Sequence, residues 1–253
     1  MANFINEYSA PCMLGRMAKH VAHKNSLFTW SVGKRNHLVV LNNGTLAKPD
    51  LDYLSTLDSF NFHYLFQPNV DILKQSFSSV STHKITSIVL KIDELDFAGK
   101  KGKKFRNYIN RYKEYDIRDQ LGSMGEVEEM LDRWRETLGD KYFRDFSGKN
   151  FYFFQNNYHK ECENVFIYDK DKLISFGVAS PVKGGHCSYI IGKALAHDYP
   201  GLSEFTDIKL YEKLLRTGPF EINMGMAQTG LKYYKKKFPG SFEQESYNGK
   251  VVV

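Results

Sequence analysis

Two hydrophobic periods alternate along the second half of the chain. Over 103–114, Phe105, Tyr108, Ile109 and Tyr112 fall at i, i+3, i+4 and i+7. This predicts a helix with one apolar stripe, leaving Lys104, Arg106, Asn107, Asn110 and Arg111 on its other surfaces. A second helix is predicted over 126–138, with Val127, Met130, Leu131, Trp134 and Leu138 as its stripe and Gly139 as its stop. A third, around 149–159, carries Phe151, Phe154 and Tyr158. The period then shortens. Residues 164–168, 173–178 and 187–191 read as strands, turned at Lys170-Asp171 and Gly184-Gly185. A helix over 203–216 faces Phe205, Ile208, Leu214 and Leu215 inward and ends at Gly218-Pro219. A strand at 220–224, a helix at 231–238 and a strand at 242–247 complete the pattern.

The first 98 residues are less regular. Residues 36–41 read as the first strand of a hairpin, with Asn42-Asn43-Gly44 as turn residues that tolerate positive φ. Residues 85–92 form a strand on Ile85, Ile88, Leu90 and Ile92, and a loop over 93–103 leads into the first helix. The whole order predicts an α/β (α+β) fold, a mixed central sheet flanked by helices. It suggests a boundary near residue 98, with an N-terminal mixed region over 1–98 and a second domain over 99–253.

At 253 residues the chain can bury one large core or two small ones. No apolar run approaches 18 residues, so no transmembrane helix is expected. The first two dozen residues lack the layout of a secretory signal. Cys12, Cys162 and Cys187 are widely spaced and form no CxxC pair, which argues against a zinc site or a disulfide framework and suggests a cytoplasmic protein. His20, His23 and His83 have no acidic or cysteine partner at ligand spacing, so no metal is expected. Ser203 with His197 or His186 does not form a nucleophile elbow.

The net charge of +6 changes this picture because of where it sits. From Gly99 to Arg118 there are eight basic residues against Glu114 and Asp116, so this stretch alone equals the excess of the whole chain. A helix this basic suits a phosphate backbone, with salt-dependent binding through Lys104, Arg106 and Arg111, Asn107 beside them and the Lys100-Lys101 arm. It also reads as a solvated helix face.

Two stretches carry a family resemblance. KGKKFRNYINRYKEYDI, 101–117, resembles the basic helix that opens the catalytic unit of Fem-type aminoacyltransferases and of the cytosolic domain of phosphatidylglycerol lysyltransferases. EINMGMAQTGLKYYKKKFPGSFEQESYNG, 221–249, resembles that group's strand, glycine loop, G-L-x-x-[FY]-K-x-x-[FY] helix and final strand. Gly230, Leu231, Tyr234, Lys235 and Phe238 fill the motif. Both groups belong to the GNAT superfamily of acyltransferases. The resemblance implies a GNAT-like fold over 99–253, with 1–98 as a truncated or degenerate GNAT-like half. The coenzyme A cradle of ordinary GNAT enzymes, Q/R-x-x-G-x-G/A, is missing. Its place is taken by 191–205, with Gly192 and Gly201 alone. That pattern suits a tRNA-bound donor better than a thioester.

The resemblance implies an acyltransferase with no permanently bound cofactor. The donor would be aminoacyl-tRNA or acyl-CoA, and the acceptor a peptide, a small amine or a lipid headgroup. Lys235 would face the donor, neutralising a phosphate or the developing oxyanion, with Gly230 and Lys237 at the same binding surface. Tyr234 would protonate a leaving ribose oxygen. Glu221 and Asn223 alternate onto one strand face, where Glu221 could act as a base through water and Asn223 could hold the acceptor. Each has a plainer alternative: a solvated lysine face, a core tyrosine, a salt bridge and a turn cap. Two other readings stay open, a GNAT-like enzyme modifying nucleic-acid bases and an inactive module binding nucleic acid or an acidic protein.

Overall fold

The computed structural model describes residues 18–24, 27–41, 44–138, 151, 153–226 and 229–253. In chain order its elements are β1 (Ala18–Lys24), β2 (Leu27–Val32), β3 (Arg35–Val40), α1 (Lys48–Leu54), β4 (Ser59–Leu65), α2 (Gln67–Ser76), β5 (Ser79–Ile92), α3 (Gly99–Tyr112), β6 (Asp116–Arg118), α4 (Met124–Leu138), β7 (Glu163–Asp169), β8 (Lys172–Ala179), β9 (His186–Ala194), α5 (Leu202–Leu214), β10 (Phe220–Met226), α6 (Thr229–Lys235) and β11 (Ser241–Val252). They fall into two compact units. One comprises residues up to Lys91 together with Glu221–Val253, the other Ile92–Phe220.

This division differs from a boundary near residue 98. The reason is β11, which pairs antiparallel with β5 from Ser241↔Leu90 to Val252↔Ser79 and on its other edge with β4. The C-terminal segment is thereby committed to the first unit. A sequence read in order cannot show a partnership between strands some 150 residues apart.

The first unit orders its strands β1-β2-β3-β4-β11-β5-β10. β3 and β4 are parallel, and β1–β2, β2–β3, β4–β11 and β11–β5 antiparallel. One sheet face packs Leu27, Leu38, Val40, Phe60, Phe62 and Val251 against Leu54 of α1 and Val70 and Leu73 of α2. Both helices start at prolines, Pro49 and Pro68, whose missing N–H costs nothing in a first turn. Residues 35–40 do form a hairpin strand, but the second one: the turn is Gly33-Lys34, and the chain leaves Leu41 toward α1. Asn42 and Asn43 lie outside the described residues.

The second unit holds the antiparallel meander β6-β7-β8-β9. Its turns are at Lys170 and at Gly184-Gly185, all with positive φ, where the sequence places them. β8 is buried along nearly its whole length because α5 covers one face and α4 the other. α4 contributes Val127, Met130 and Leu131 to that core as expected; Gly139 and residues 149, 150 and 152 of the helix predicted at 149–159 lie outside the described residues, and of the rest 151 and 153–155 are helical. Phe153 and Phe154 are buried, and Phe154 packs edge-on to Phe176 of β8. α3 begins at Gly99, four residues before the apolar stripe suggests, because its first turn is polar and carries no stripe signal.

Candidate active site

β10 sorts its side chains by alternation. Phe220, Ile222 and Met224 are buried, and Glu221, Asn223 and Gly225 are half-buried on the opposite face. The Asn223 side-chain oxygen accepts the Gly225 N–H at 2.7 Å. Gly225 has φ 74, a left-handed conformation in which a side chain is strained. The Lys235 side chain lies alongside, its Nζ 3.8 Å from where a Gly225 Cβ would stand, which is ordinary contact distance. Lys235 is the last residue of α6 and only 7% exposed. Burial pulls its ammonium down from 10.5 to about 8. The chain thus places a desolvated amine at the end of the Glu221–Asn223–Gly225 face. Of the four residues assigned chemistry from the sequence, Glu221 and Asn223 share one face of β10, and Lys235 lies beside Gly225 at its end.

Tyr234, the fourth, is half-buried, with Lys237 Nζ 4.8 Å from its ring centroid. Gly230 lies within α6. Lys232 and Lys236 both bind Glu243 of β11, at 2.8 and 2.5 Å, and their hydrogen bonds hold that carboxyl down at about 2. These two lysines pin α6 to the sheet, while Lys235 turns inward and Tyr233 stands 78% exposed. Buried Phe238 anchors the end of the motif.

The basic residues of α3 belong to the second unit and divide into two kinds. Lys100, Lys103, Lys104 and Asn107 are exposed. The first turn holds no acidic residue, so its lysines crowd the positive end of the helix dipole, an arrangement that opposes helix stability and favours a bound anion. Arg106 and Arg111 are engaged with protein. Arg106 donates to the Phe97 carbonyl and, at 3.0 Å, to that of Gly99. Arg111 donates to Pro200 O at 2.8 Å, beside the Tyr112 hydroxyl at 3.0 Å. The charge excess also looks different by unit. Residues 92–220 hold 21 basic and 21 acidic side chains, so α3 is a local patch on a neutral unit, and the net +6 resides in the other.

The Pro200-Gly201 loop, which the resemblance sets against the coenzyme A cradle of GNAT enzymes, is closed by protein groups. Gly201 caps α5 with φ 88, and a Cβ there would run into the Tyr108 ring. Arg111 and Tyr112 close on the preceding carbonyl, and the first turn of α5 carries the buried Glu204. A helix N-terminus that welcomes pyrophosphate needs open backbone amides and no carboxylate. This one meets an aromatic ring and a glutamate.

Sequence reasoning missed three features. Gly225 carries a positive φ that only its position inside a strand pattern hints at. Lys193, a lone lysine in the apolar run of β9, has its Nζ 4.2 Å from the centroid of Trp134, which the periodicity assigns simply to the core. Tyr189 donates to the buried Asp207 at 2.7 Å, joining β9 to α5. Of the two described cysteines, burial pushes the Cys162 thiol up to about 12 and raises that of Cys187 as well, which disfavours a thiolate at either; Cys12 lies outside the described residues. Among the described residues no three His, Cys, Asp or Glu side chains gather as a metal site, and no helix is long and apolar enough to cross a membrane.

A family model described as phosphatidylglycerol lysyltransferase, C-terminal, matches residues 64–240, which is 177 of the 253. No curated protein sequence matches the chain. Among solved structures it is similar to L-PGS from Bacillus licheniformis, with 17% identity, a TM-score of 0.73, and coverage of 98% of this chain and 87% of that one. It is similar to the C-terminal domain of a putative lysylphosphatidylglycerol synthetase from Agrobacterium fabrum, with 14% identity, a TM-score of 0.70, and coverage of 97% and 88%. FemX gives 9% identity, a TM-score of 0.59, and coverage of 98% and 96%. At these identities the likeness is one of fold, and the fold is the expected one: α/β, with a GNAT-like mixed sheet flanked by helices.

Proposed function

We propose, from the premise that this chain belongs to the phosphatidylglycerol lysyltransferase C-terminal family, that it moves an aminoacyl group from tRNA to a hydroxyl of a lipid headgroup. Membership makes it one of a family of acyltransferases; donor and acceptor are our reading. The observation that carries it is Lys235, a buried amine at the end of α6 and beside Gly225 of β10, at the place where the family motif puts its lysine.

The reaction is a transesterification. The acceptor oxygen bonds to the ester carbonyl, and the bond from that carbon to the ribose oxygen breaks. The acceptor's proton leaves through Glu221, directly or by way of water, and a proton reaches the departing ribose oxygen from Tyr234. The carbonyl oxygen gains charge in between. Lys235, mostly protonated at pH 7 because its pKa lies at about 8, stabilises that charge in a setting with little water. The Asn223 oxygen is engaged by Gly225, which leaves its amide N–H groups to orient the acceptor. Lys100, Lys103 and Lys104 on α3 give the other unit a surface of its own for a phosphate backbone. The filled loop at Gly201 favours tRNA over a coenzyme A thioester.

The test is transfer of label from charged total tRNA into phosphatidylglycerol vesicles by wild type and Lys235→Ala. The reading predicts lipid labelling by wild type, reduced at least about 100-fold in the variant, the scale on which one oxyanion donor acts. Discharge no faster than buffer would overturn tRNA as donor. Discharge without lipid labelling would overturn the lipid as acceptor.

A further inference from the structure

Most half-buried cations of the second unit meet a carboxylate, and Lys193 does not. Lys209 pairs with Glu212 at 2.8 Å, Lys213 with Asp119 and Glu163 at 3.1 and 3.3 Å, Arg118 with Asp116 at 2.6 Å, and Arg135 with Asp132. Lys193 has no carboxylate within ion-pair distance among the described residues. The face of Trp134 is its only charge-stabilising contact there. Its backbone is fixed. Lys193 stands opposite Phe176 in the β8–β9 ladder, and its carbonyl accepts the Ser175 hydroxyl at 2.9 Å. Ser175 is tied in turn to Thr206 of α5 at 2.6 Å. Phe176, packed edge-on against Phe154, makes the surroundings apolar. Desolvation brings the Lys193 ammonium down to about 8, the same level as Lys235. Buried charges are ordinarily paired, and a cation kept without a counter-charge gains most when a ligand supplies one. Both Lys193 and Trp134 remain partly exposed, so an anion has access.

We propose that Lys193 and Trp134 form a phosphate-receiving site on the α4-facing side of β9, with the ammonium held by the indole on one side and open to a phosphate oxygen on the other. The chemistry is shared by a glycerophosphate headgroup and a nucleotide terminus. The site stands independently of the proposed transfer reaction, since the binding measurement requires no turnover.

The experiment follows the two tryptophan indole N–H resonances by NMR, with that of Trp134 assigned from Trp134→Phe. The full chain is titrated at constant ionic strength with sn-glycerol 3-phosphate, and separately with AMP. A saturable shift of the Trp134 resonance is expected with at least one probe. It should weaken at least about tenfold in Lys193→Met, which keeps the stem over the ring, and return in Lys193→Arg. Response to glycerol 3-phosphate alone identifies the headgroup, to AMP alone the nucleotide terminus, and to both a site reading phosphate only. No saturable shift with either probe, or an unchanged shift in a folded Lys193→Met, overturns the proposal. Unchanged dispersion of the backbone amide resonances checks that each variant is folded.

Discussion

Replacing Lys235 by Met should stabilise the protein while abolishing transfer. The side chain is 7% exposed, and its pKa falls from 10.5 to about 8 through desolvation. A lysine whose folded pKa is depressed is protonated more readily in the unfolded chain, so stability rises with pH across the interval from about 8 to 10.5. At pH 7 both states are protonated, and the folded protein bears the full cost, about 3 kcal/mol. At pH 9.5 the folded amine has already released its proton, and the cost falls to about 1.4 kcal/mol. Methionine keeps most of the stem and removes the charge. With a urea m-value near 3 kcal/mol/M, the unfolding midpoint should rise by about 1 M at pH 7, and by about half that at pH 9.5. Staying below pH 10 keeps the buried tyrosines neutral, and Lys193 contributes equally to both proteins. Urea unfolding of wild type and variant at the two pH values supplies the measurement. A variant less stable than wild type at pH 7, or a difference that ignores pH, would refute the claim that Lys235 is held as a desolvated cation. The combination of added stability and lost activity marks a residue kept for function at the expense of the fold.

The two kinds of basic residue on α3 should separate on mutation. Lys100, Lys103 and Lys104 changed together to Ala should weaken tRNA binding, lower the slope of log affinity against log salt by roughly 2 to 3, and leave the unfolding midpoint unchanged. Arg106→Ala or Arg111→Ala should lower that midpoint instead, because carbonyls of Phe97, Gly99 and Pro200 lose their donor. Gly201→Ala should cost about 2–4 kcal/mol from its positive φ and from the clash with Tyr108, and Tyr108→Ala in the same chain should relieve only the clash, as a double-mutant cycle in urea would measure. Tyr189→Phe should cost about 1–3 kcal/mol in the same assay, because the buried Asp207 loses a hydroxyl donor; an unchanged midpoint would show that Asp207 does not depend on it.

Local order was legible in the chain wherever side chains repeat with a short period. The stripe Phe105–Tyr108–Ile109–Tyr112, the meander with its turns at Lys170 and Gly184-Gly185, and the Lys235 motif are all set by neighbours a few residues apart. Tertiary structure decided what depends on distant partners. β11 joins β4 and β5, which moves the Lys235 segment into the first unit, because backbone ladders pair strands regardless of their separation in sequence. It also divided apparently equivalent cations. Lys232, Lys235 and Lys236 lie within five residues of one another, yet Lys232 and Lys236 meet Glu243 while Lys235 turns into the interior beside Gly225. Arg106 and Arg111 look like phosphate ligands in sequence and hold backbone carbonyls in space. Residue type fixes what a side chain can do. Which charges lose water, and which of them find a partner, is settled only when the chain packs, because desolvation and pairing are properties of the surroundings.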